Sequence, residues 1–264
     1  MRQALALLLL LLSSTDVRAG AWTQGEDRWQ VISNAIYSDA GRAFDARSSG
    51  NRPVLFQRLL VQTSADYGWN DALTLFGRVE TANARFANEG TPPSAAVSTA
   101  LEAGARYLLM NDPEFGILSL QGSLRTAGAF NFAISANSLV SGRSAGLRLL
   151  YGFNFQWRGM NGFADLQAGH TFLSRPRPNE TPFDLTAGLW IDEKTMAMIQ
   201  SFNLVGEGGG GGNAYPYFRS HKIQASIVRI LSPRYSLQAG AFFSPAGQNA
   251  LVERGLCLSL WAYF

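Results

Sequence analysis

The stretch AGLRLLYGFNFQW, Ala145 to Trp157, alternates apolar and mostly polar residues along its length. The odd positions hold Ala, Leu, Tyr, Phe and Trp, and the even positions include Arg148, Asn154 and Gln156. Successive side chains of a β-strand point to opposite faces, so this period of two indicates a strand with one apolar and one mostly polar face. The pattern lasts for about 13 residues, whereas strands of soluble sheets have about five or six and a tilted strand needs ~9–11 to cross a bilayer.

The same alternation recurs along the chain. In three further segments the apolar series runs from Val97 to Leu109, from Phe183 to Ile191 and from Tyr235 to Phe243, opposite Ser, Gly, Gln or charged residues. The pattern predicts an all-β fold with twelve strands, at 28–38, 53–66, 71–84, 97–110, 115–126, 141–156, 162–173, 182–191, 195–205, 216–230, 234–245 and 251–264. Ten or fourteen strands are the alternatives, because the boundaries of the strands at 195–205 and 251–264 are the least clear.

The predicted connections alternate between short and long. Short turns fall at 67–70, 111–114, 157–161, 193–195 and 231–234, long loops fall at 39–52, 85–96, 127–140, 174–181 and 206–215, and 244–249 is intermediate. Short turns on one side and long loops on the other are typical of a transmembrane β-barrel. An even number of strands places both ends of the barrel on the short-turn side, the periplasm. We therefore predict a single antiparallel transmembrane β-barrel in the bacterial outer membrane.

The first residues, MRQALALLLLLLSSTDVRAGAW, have the features of a secretory signal peptide. Arg2 precedes an apolar run from Ala4 to Leu12 that is too short to span a bilayer as a helix, and small and polar residues follow it. Ala19 is placed for cleavage, which predicts a signal peptide at 1–19 and a barrel at 20–264. The formal charge of +3 would fall to about +2, because the removed segment contains two arginines and one aspartate.

The composition limits the kinds of binding site that the chain can form. It is 47% hydrophobic and 16% charged, against about 25% charged in an average soluble domain. The single cysteine, Cys257, cannot form an internal disulfide, and with two distant histidines it falls short of a metal site. The run from Glu207 to Gly212 lacks the Lys-Ser/Thr of a phosphate-binding loop. We expect no metal, no cofactor and, given the small excess of positive charge, no nucleic-acid partner.

Aromatic residues of the apolar series form two groups at different heights. Near the short turns are Trp29, Tyr67, Tyr107, Trp157, Tyr235 and Phe264, and near the long loops are Tyr37, Phe172, Tyr217 and Phe243. Two rings of aromatic side chains separated by apolar residues are expected where a barrel meets the two membrane–water interfaces.

The last stretch, GLCLSLWAYF, ends in Phe264 and has Leu256, Leu258 and Leu260 at alternate positions. An open sheet would leave unpaired backbone groups in hydrocarbon, so this strand is expected to pair with the first strand from Trp29. The ending resembles that of Gram-negative outer-membrane barrel proteins, whose terminal strand is read by the barrel-assembly machinery. The resemblance implies that these four residues form an assembly signal and that outer-membrane lipid and lipopolysaccharide surround the barrel. Ala262 departs from the pattern, because that position is commonly aromatic.

A second resemblance lies at the start of the expected mature chain. GAWTQGEDRWQVI, Gly20 to Ile32, resembles the start of proteobacterial outer-membrane proteins associated with exopolysaccharide secretion, the XagA-like proteins. The resemblance centres on AWTQ. It implies a role in polysaccharide export or cell-surface attachment, with polysaccharide or secretion proteins as partners.

The two histidines do not match an enzyme pattern. Outer-membrane phospholipases and lipid A deacylases resemble one another in a His-x-Ser arrangement, whereas here Thr171 and Phe172 follow His170. Ser220 directly precedes His221, so their side chains point to opposite faces. We expect no catalytic residues and no enzyme activity, and a membrane-embedded lipid hydrolase is the least favoured hypothesis. Both histidines are interpreted as polar residues near the outer rim, within reach of lipopolysaccharide phosphates.

Alternation assigns charged residues to the inner face, because each would cost roughly 2–4 kcal/mol facing lipid near the midplane. The candidates for lining the lumen are Arg58, Arg78, Glu80, Glu102, Arg106, Arg148, Asp165, Asp184 and Lys222. They could line a water-filled conduit in which the cations meet acidic sugars, or they could form an internal ion-pair network that stiffens a closed barrel. The sequence favours a pore or export component for polysaccharide or another polar solute. A non-conducting structural or surface-binding barrel is the alternative.

The signal peptide gives the first testable prediction. Cleavage after Ala19 makes Gly20 the first residue of the mature protein. N-terminal sequencing of the protein in the outer-membrane fraction checks this. Cleavage after Ala21 would move the site by two residues, and an uncleaved chain would contradict the export argument.

Overall fold

The computed structural model describes residues 20–88, 93–129, 142–175, 177–208 and 216–264. The predicted signal peptide at 1–19 lies outside the described residues. The strands are β1 (Trp29–Phe44), β2 (Arg52–Asn70), β3 (Leu73–Asn88), β4 (Ser94–Asp112), β5 (Gly116–Ala129), β6 (Gly142–Trp157), β7 (Met160–Leu173), β8 (Glu180–Trp190), β9 (Thr195–Gly206), β10 (Phe218–Ser232), β11 (Tyr235–Gln248), β12 (Ala250–Leu251) and β13 (Arg254–Tyr263). Because β12 and β13 are two segments of one strand, separated by Val252 and Glu253, these strands form a twelve-stranded sheet.

The sheet is antiparallel and closed. Each strand pairs with its neighbour in sequence, and β1 pairs with β2 on one side and with β12 and β13 on the other. The seam continues to the last residue, since the Trp29 amide donates to the Phe264 carbonyl and the Phe264 amide donates to the Trp29 carbonyl, both at 3.0 Å. Closure removes the sheet edges, which hydrocarbon does not tolerate. The prediction of a single antiparallel barrel of about twelve strands is confirmed.

Several strands are longer than predicted at their extracellular ends. β1 continues to Phe44, so half of the predicted loop at 39–52 is strand and its connection covers only 45–51. The sequence loses its apolar alternation after Asp39, but the backbone ladder continues because β2 and β12 supply partners beside Arg42 and Ala43. The predicted loops at 85–96, 127–140, 174–181 and 206–215 fall partly outside the described residues.

The short turns also differ in detail. Residues 67–70 belong to β2, and the turn lies at Asp71 and Ala72, where the Asn70 side chain accepts the amides of Ala72 at 2.9 Å and Leu73 at 2.8 Å. The turn between β6 and β7 is two residues, Arg158 and Gly159, with φ of 51° and 81°. Two successive residues with positive φ match the type I′ turns of tight hairpins.

The outer face of the barrel is apolar. In β13, Leu256, Leu258 and Leu260 point outward and are exposed, and the alternate residues are buried. The aromatic residues predicted for the two rings are exposed or partly exposed on this face, and Trp29 packs on Tyr67 with ring centroids 4.6 Å apart. Among the described residues no helix is long and apolar enough to span a membrane.

Deletion of Phe264 tests the closing seam. The deletion removes two backbone hydrogen bonds and an aromatic side chain at the membrane interface, and Phe264→Ser removes only the side chain. We expect both variants to lower the amount of folded, heat-modifiable protein in the outer membrane several-fold, with the deletion more severe. Phe243→Ser, at an equally exposed aromatic residue of the other ring, is the matched control. Normal assembly of the truncated chain would show that the terminal residue is incidental.

Candidate functional site

The nine charged residues predicted to line the lumen all lie on strands with their side chains toward the interior. Arg78 lies directly opposite Glu102 in the register of β3 and β4, and directly opposite residues of an antiparallel pair share a face. Asp165 is 1% exposed, and Arg106 is 9% exposed. The interior of the barrel is therefore the candidate functional site.

Ion pairs join most of these residues to a partner on the adjacent strand or on the next strand but one. The pairs are Arg78–Glu102 at 3.1 Å, Arg106–Asp66 at 3.3 Å, Arg125–Glu80 at 3.2 Å, Arg148–Asp184 at 3.0 Å, Arg58–Glu253 at 2.8 Å and Lys222–Glu253. Three members were missed by the sequence analysis. Asp66 and Arg125 have the inward parity of their strands, so the alternation that located the others could have found them.

Glu253 also has the inward parity of its strand, because it alternates in step with the buried residues Cys257, Ser259 and Trp261. It lies between β12 and β13, in the last predicted strand, whose bounds are among the least clear. Its carbonyl accepts the Ser244 amide at 2.7 Å, and its carboxylate pairs with both Arg58 and Lys222. Glu253 thus lies as one nearly buried carboxylate between two cations from β2 and β10.

The interior charges balance. The sequence analysis assigned five cations and four anions to the lumen. Among the described residues, adding the three missed ones gives six of each: Arg58, Arg78, Arg106, Arg125, Arg148 and Lys222 against Asp66, Glu80, Glu102, Asp165, Asp184 and Glu253. Glu180, which has the inward parity of β8, pairs with Arg177 at 3.3 Å and leaves the balance unchanged. This balance gives no excess of positive charge for selecting anions.

Residues Gly20–Arg28, here called the N-terminal segment, enter the barrel from the periplasmic end. Wall side chains bind its backbone: the Ser119 hydroxyl donates to the Ala21 carbonyl at 2.6 Å, and Arg106 Nη1 donates to the Trp22 carbonyl at 2.9 Å. The Gln24 amide donates to Thr74 Oγ1 at 2.8 Å. Ala21, Thr23 and Gln24 are buried as a result.

Trp22 anchors the segment in an apolar cluster inside the barrel. Its ring meets Phe163 edge-on with centroids 5.9 Å apart, and it packs against a cluster formed by Phe163, Met196, Met198, Val228 and Trp261. Two glycines of the wall leave space for the segment. A methyl group at Gly152 would lie 2.6 Å from the Trp22 ring, and one at Gly68 would lie 1.9 Å from the Gly25 carbonyl oxygen. The segment and this cluster together occupy the interior near the periplasmic end of the barrel.

The position of the N-terminal segment was not predicted. The residues before Trp29 show neither a period of two nor a helical period, and the sequence analysis used them only for a family resemblance. The glycines that accommodate the segment are far from it in sequence, so no local signal connects them.

Both histidines lie on the outer face near the extracellular rim. His170 Nδ1 is 3.3 Å from Thr181 Oγ1 and 3.6 Å from Glu207, and His221 is hydrogen-bonded to Asn203. No serine-histidine pair occurs in these contacts. Cys257 is buried in β13, and the described residues contain no cluster of three or more His, Cys, Asp or Glu side chains that could hold a metal ion.

Glu253→Gln tests the contribution of the ion-pair network. The change leaves Arg58 and Lys222 without their carboxylate in a partly desolvated lumen, so we expect the free energy of unfolding to fall by about 1–3 kcal/mol. Arg254→Gln removes the exposed pair with Asp39 on the outer face and should cost at most about 1 kcal/mol. Denaturant unfolding of both variants in detergent measures the difference, and equal losses would contradict a structural role of the inner network.

The fold is that of known outer-membrane barrels. The chain is similar to the COG4313 outer-membrane channel from Pseudomonas putida F1, with a TM-score of 0.72 and 15% identity over 94% of this chain and 100% of that one. It is also similar to the translocator domain of the autotransporter NalP from Neisseria meningitidis, with a TM-score of 0.58 and 10% identity over 100% of this chain and 95% of that one. The β domain of the Bordetella autotransporter BrkA has a TM-score of 0.58 and 13% identity over 91% of this chain and 100% of that one. No protein-family model matches the chain, and no curated protein matches it. At these identities the likeness establishes the fold: the chain is a β-barrel of the bacterial outer membrane.

Proposed function

We propose that this protein is an outer-membrane channel for a polar solute and that the N-terminal segment closes it at the periplasmic end. The observation that carries the proposal is the arrangement of the interior. A wall of paired charges and hydrogen-bonding side chains lies directly above a segment that is bound to the wall and is not part of the sheet.

The wall suits a solute rich in hydroxyl groups. Besides the ion pairs, it presents amide side chains such as Gln121, bound to Arg106 at 3.1 Å, and Gln200, bound to Gln224 at 2.8 Å. Solute selectivity in a pore depends on its diameter and on the donors and acceptors that line it. Alternating donors and acceptors without excess charge favour a polar, uncharged or weakly charged solute over a simple anion.

The segment can leave without opening the sheet. The closing seam begins at Trp29, and the backbones of Asp27 and Arg28 also bond Gly68 of β2, so residues 20–26 can leave while these strand contacts stay in place. Its polar contacts exchange for contacts with water at small net cost, because hydrogen bonds to water replace them. Withdrawal would mainly remove Trp22 from its apolar cluster.

We propose polysaccharide as the solute class and export as the direction, on the resemblance of Gly20–Ile32 to the exopolysaccharide-associated proteins. Trp22, Trp190 and Trp261 gather at the periplasmic end of the lumen, and binding sites commonly combine such aromatic surfaces with a few polar groups. Under this proposal the protein is not an enzyme. It is assembled by the barrel-assembly machinery, contacts lipopolysaccharide at its outer rim and works with secretion partners.

A non-conducting structural barrel is the second candidate. The ion pairs favour it, because a network in which nearly every charge is paired stiffens an interior. A second apolar cluster of Ala40, Phe56 and Ala84 also packs inside the barrel near the extracellular end. In that case the loops, and not the lumen, would carry the function.

Removal of the segment separates the two candidates. A variant that lacks Gly20–Gln24 should raise single-channel conductance in planar bilayers by at least about tenfold, because the obstruction of a narrow lumen is gone. Trp22→Ala should raise it less, and Trp157→Ala, which changes an outward-facing tryptophan, should leave it unchanged. Heat-modifiability confirms that each variant is folded.

Solute tests complete the experiment. Liposomes with the truncated protein should admit neutral oligosaccharides, and deletion of the gene should abolish surface polysaccharide. A truncated barrel that neither conducts nor admits oligosaccharides would contradict the channel. Conductance with unchanged surface polysaccharide would retain the channel and reject polysaccharide export.

A further inference from the structure

Asp165 differs from the other anions of the lumen. Its carboxylate is on β7 and the residue is 1% exposed, yet within the part of the chain that the structure describes no cationic side chain lies within 4 Å of it. The other inward-facing anions of the described strands each pair with an arginine, and Glu253 pairs with a lysine as well. A buried carboxylate without a cation is costly, so its surroundings need an explanation.

The neighbours of Asp165 come from the N-terminal segment and from its own strand. The Ala21 amide donates to Oδ2 at 2.7 Å, and Gln167 Nε2 donates to Oδ1 at 2.7 Å. Both donors are neutral. Arg106, a cation bound to the same segment, already binds Asp66, Gln121 and the Trp22 carbonyl. A carboxylate oxygen can accept more than one hydrogen bond, so each oxygen has capacity for a further donor.

Gly20 lies against the same carboxylate. A methyl group built on Gly20 would be 3.1 Å from Asp165 Oδ1 and 2.0 Å from Gln167 Nε2. Only a residue without a side chain fits here unless Gln167 moves. The backbone nitrogen of Gly20 is one residue before the amide that already binds Asp165.

We propose that Asp165 and Gln167 form a binding site for the α-ammonium group of Gly20 in the mature protein. The proposal rests on cleavage after Ala19, which the sequence predicts, and is independent of whether the barrel conducts. In the precursor the Gly20 nitrogen is a neutral amide. After cleavage it becomes a primary ammonium with three donors and a positive charge, and it supplies the cation that Asp165 lacks.

The site would couple maturation to the position of the segment. Before cleavage the segment has only neutral donors to offer Asp165. After cleavage the ion pair adds to the contacts of Ser119, Arg106 and Thr74 and fixes the segment inside the lumen. The closed interior would then be a property of the mature chain.

Amine labelling of the purified outer-membrane protein tests the site directly. The chain has only two lysines, and Lys194 lies exposed in the turn between β8 and β9, so it serves as an internal reference. An amine-reactive ester is applied for short times, and the labelling rates of the Gly20 α-amine and of Lys194 are compared by peptide mass spectrometry. Intact mass establishes the N-terminus of each preparation.

Two variants disrupt the interaction, one by changing the carboxylate and the other by displacing the ammonium group. Asp165→Asn keeps the shape and removes the charge, and a Ser-Gln insertion between Ala19 and Gly20 keeps Asp165 and displaces the ammonium. The measured quantity is the labelling rate of the N-terminal α-amine divided by that of Lys194. In both variants we expect this ratio to be roughly tenfold or more higher than in the unaltered protein. Combining the two changes should add little, because both remove one interaction. Arg254→Gln, an exposed charge change on the outer face away from both amines, is the control and should leave the ratio unchanged.

Each result decides the proposal. Equal ratios in the unaltered protein and both variants would overturn it, as would a mature N-terminus other than Gly20. If Asp165→Asn does not fold, the insertion variant alone carries the test, since it leaves the barrel sequence intact. Labelling does not depend on conductance, so a failed channel experiment and a failed ammonium site remain distinguishable.

Discussion

The structure depends on one constraint: backbone N–H and C=O groups have no partners in hydrocarbon except one another. A sheet meets this constraint only when it closes, so the pairing of Trp29 with Phe264 is as necessary as any pairing within a hairpin. Closure then fixes which side chains meet lipid. Since alternate residues face outward, the outer series is apolar along the membrane-spanning part of each strand, and the charges are confined to the interior.

Confinement explains the ion-pair network. Charged side chains brought into a narrow, partly desolvated lumen are tolerated when each has a partner of opposite charge. The barrel provides partners from different strands, as when Arg58 of β2 reaches Glu253 across a sequence separation of 195 residues. Glu253, next to the interruption of the last strand, belongs to the same arrangement, because its carboxylate lies between Arg58 and Lys222.

The sequence predicts those features of the structure that follow from alternation along a single strand. A period of two is visible in any strand that separates lipid from lumen, so the twelve strands and the inward position of Arg148 or Asp184 could be predicted. The ends of the strands could not, because the ladder near Arg42 and Ala43 depends on partners and not on alternation. The pairing of Arg125 with Glu80 and the role of Gly152 beneath Trp22 join residues distant in sequence, and one sequence carries no signal of such contacts.

The N-terminal segment shows that the state of the lumen and the stability of the barrel are separate properties. The segment contributes no strand, and the closing seam begins only where it ends. Its polar contacts are individually replaceable by water, so its residence inside depends most on what water cannot replace: the packing of Trp22 and the environment of the buried Asp165 carboxylate. Changes among the residues before Trp29 can therefore alter what passes through the barrel while leaving the barrel itself closed in the membrane.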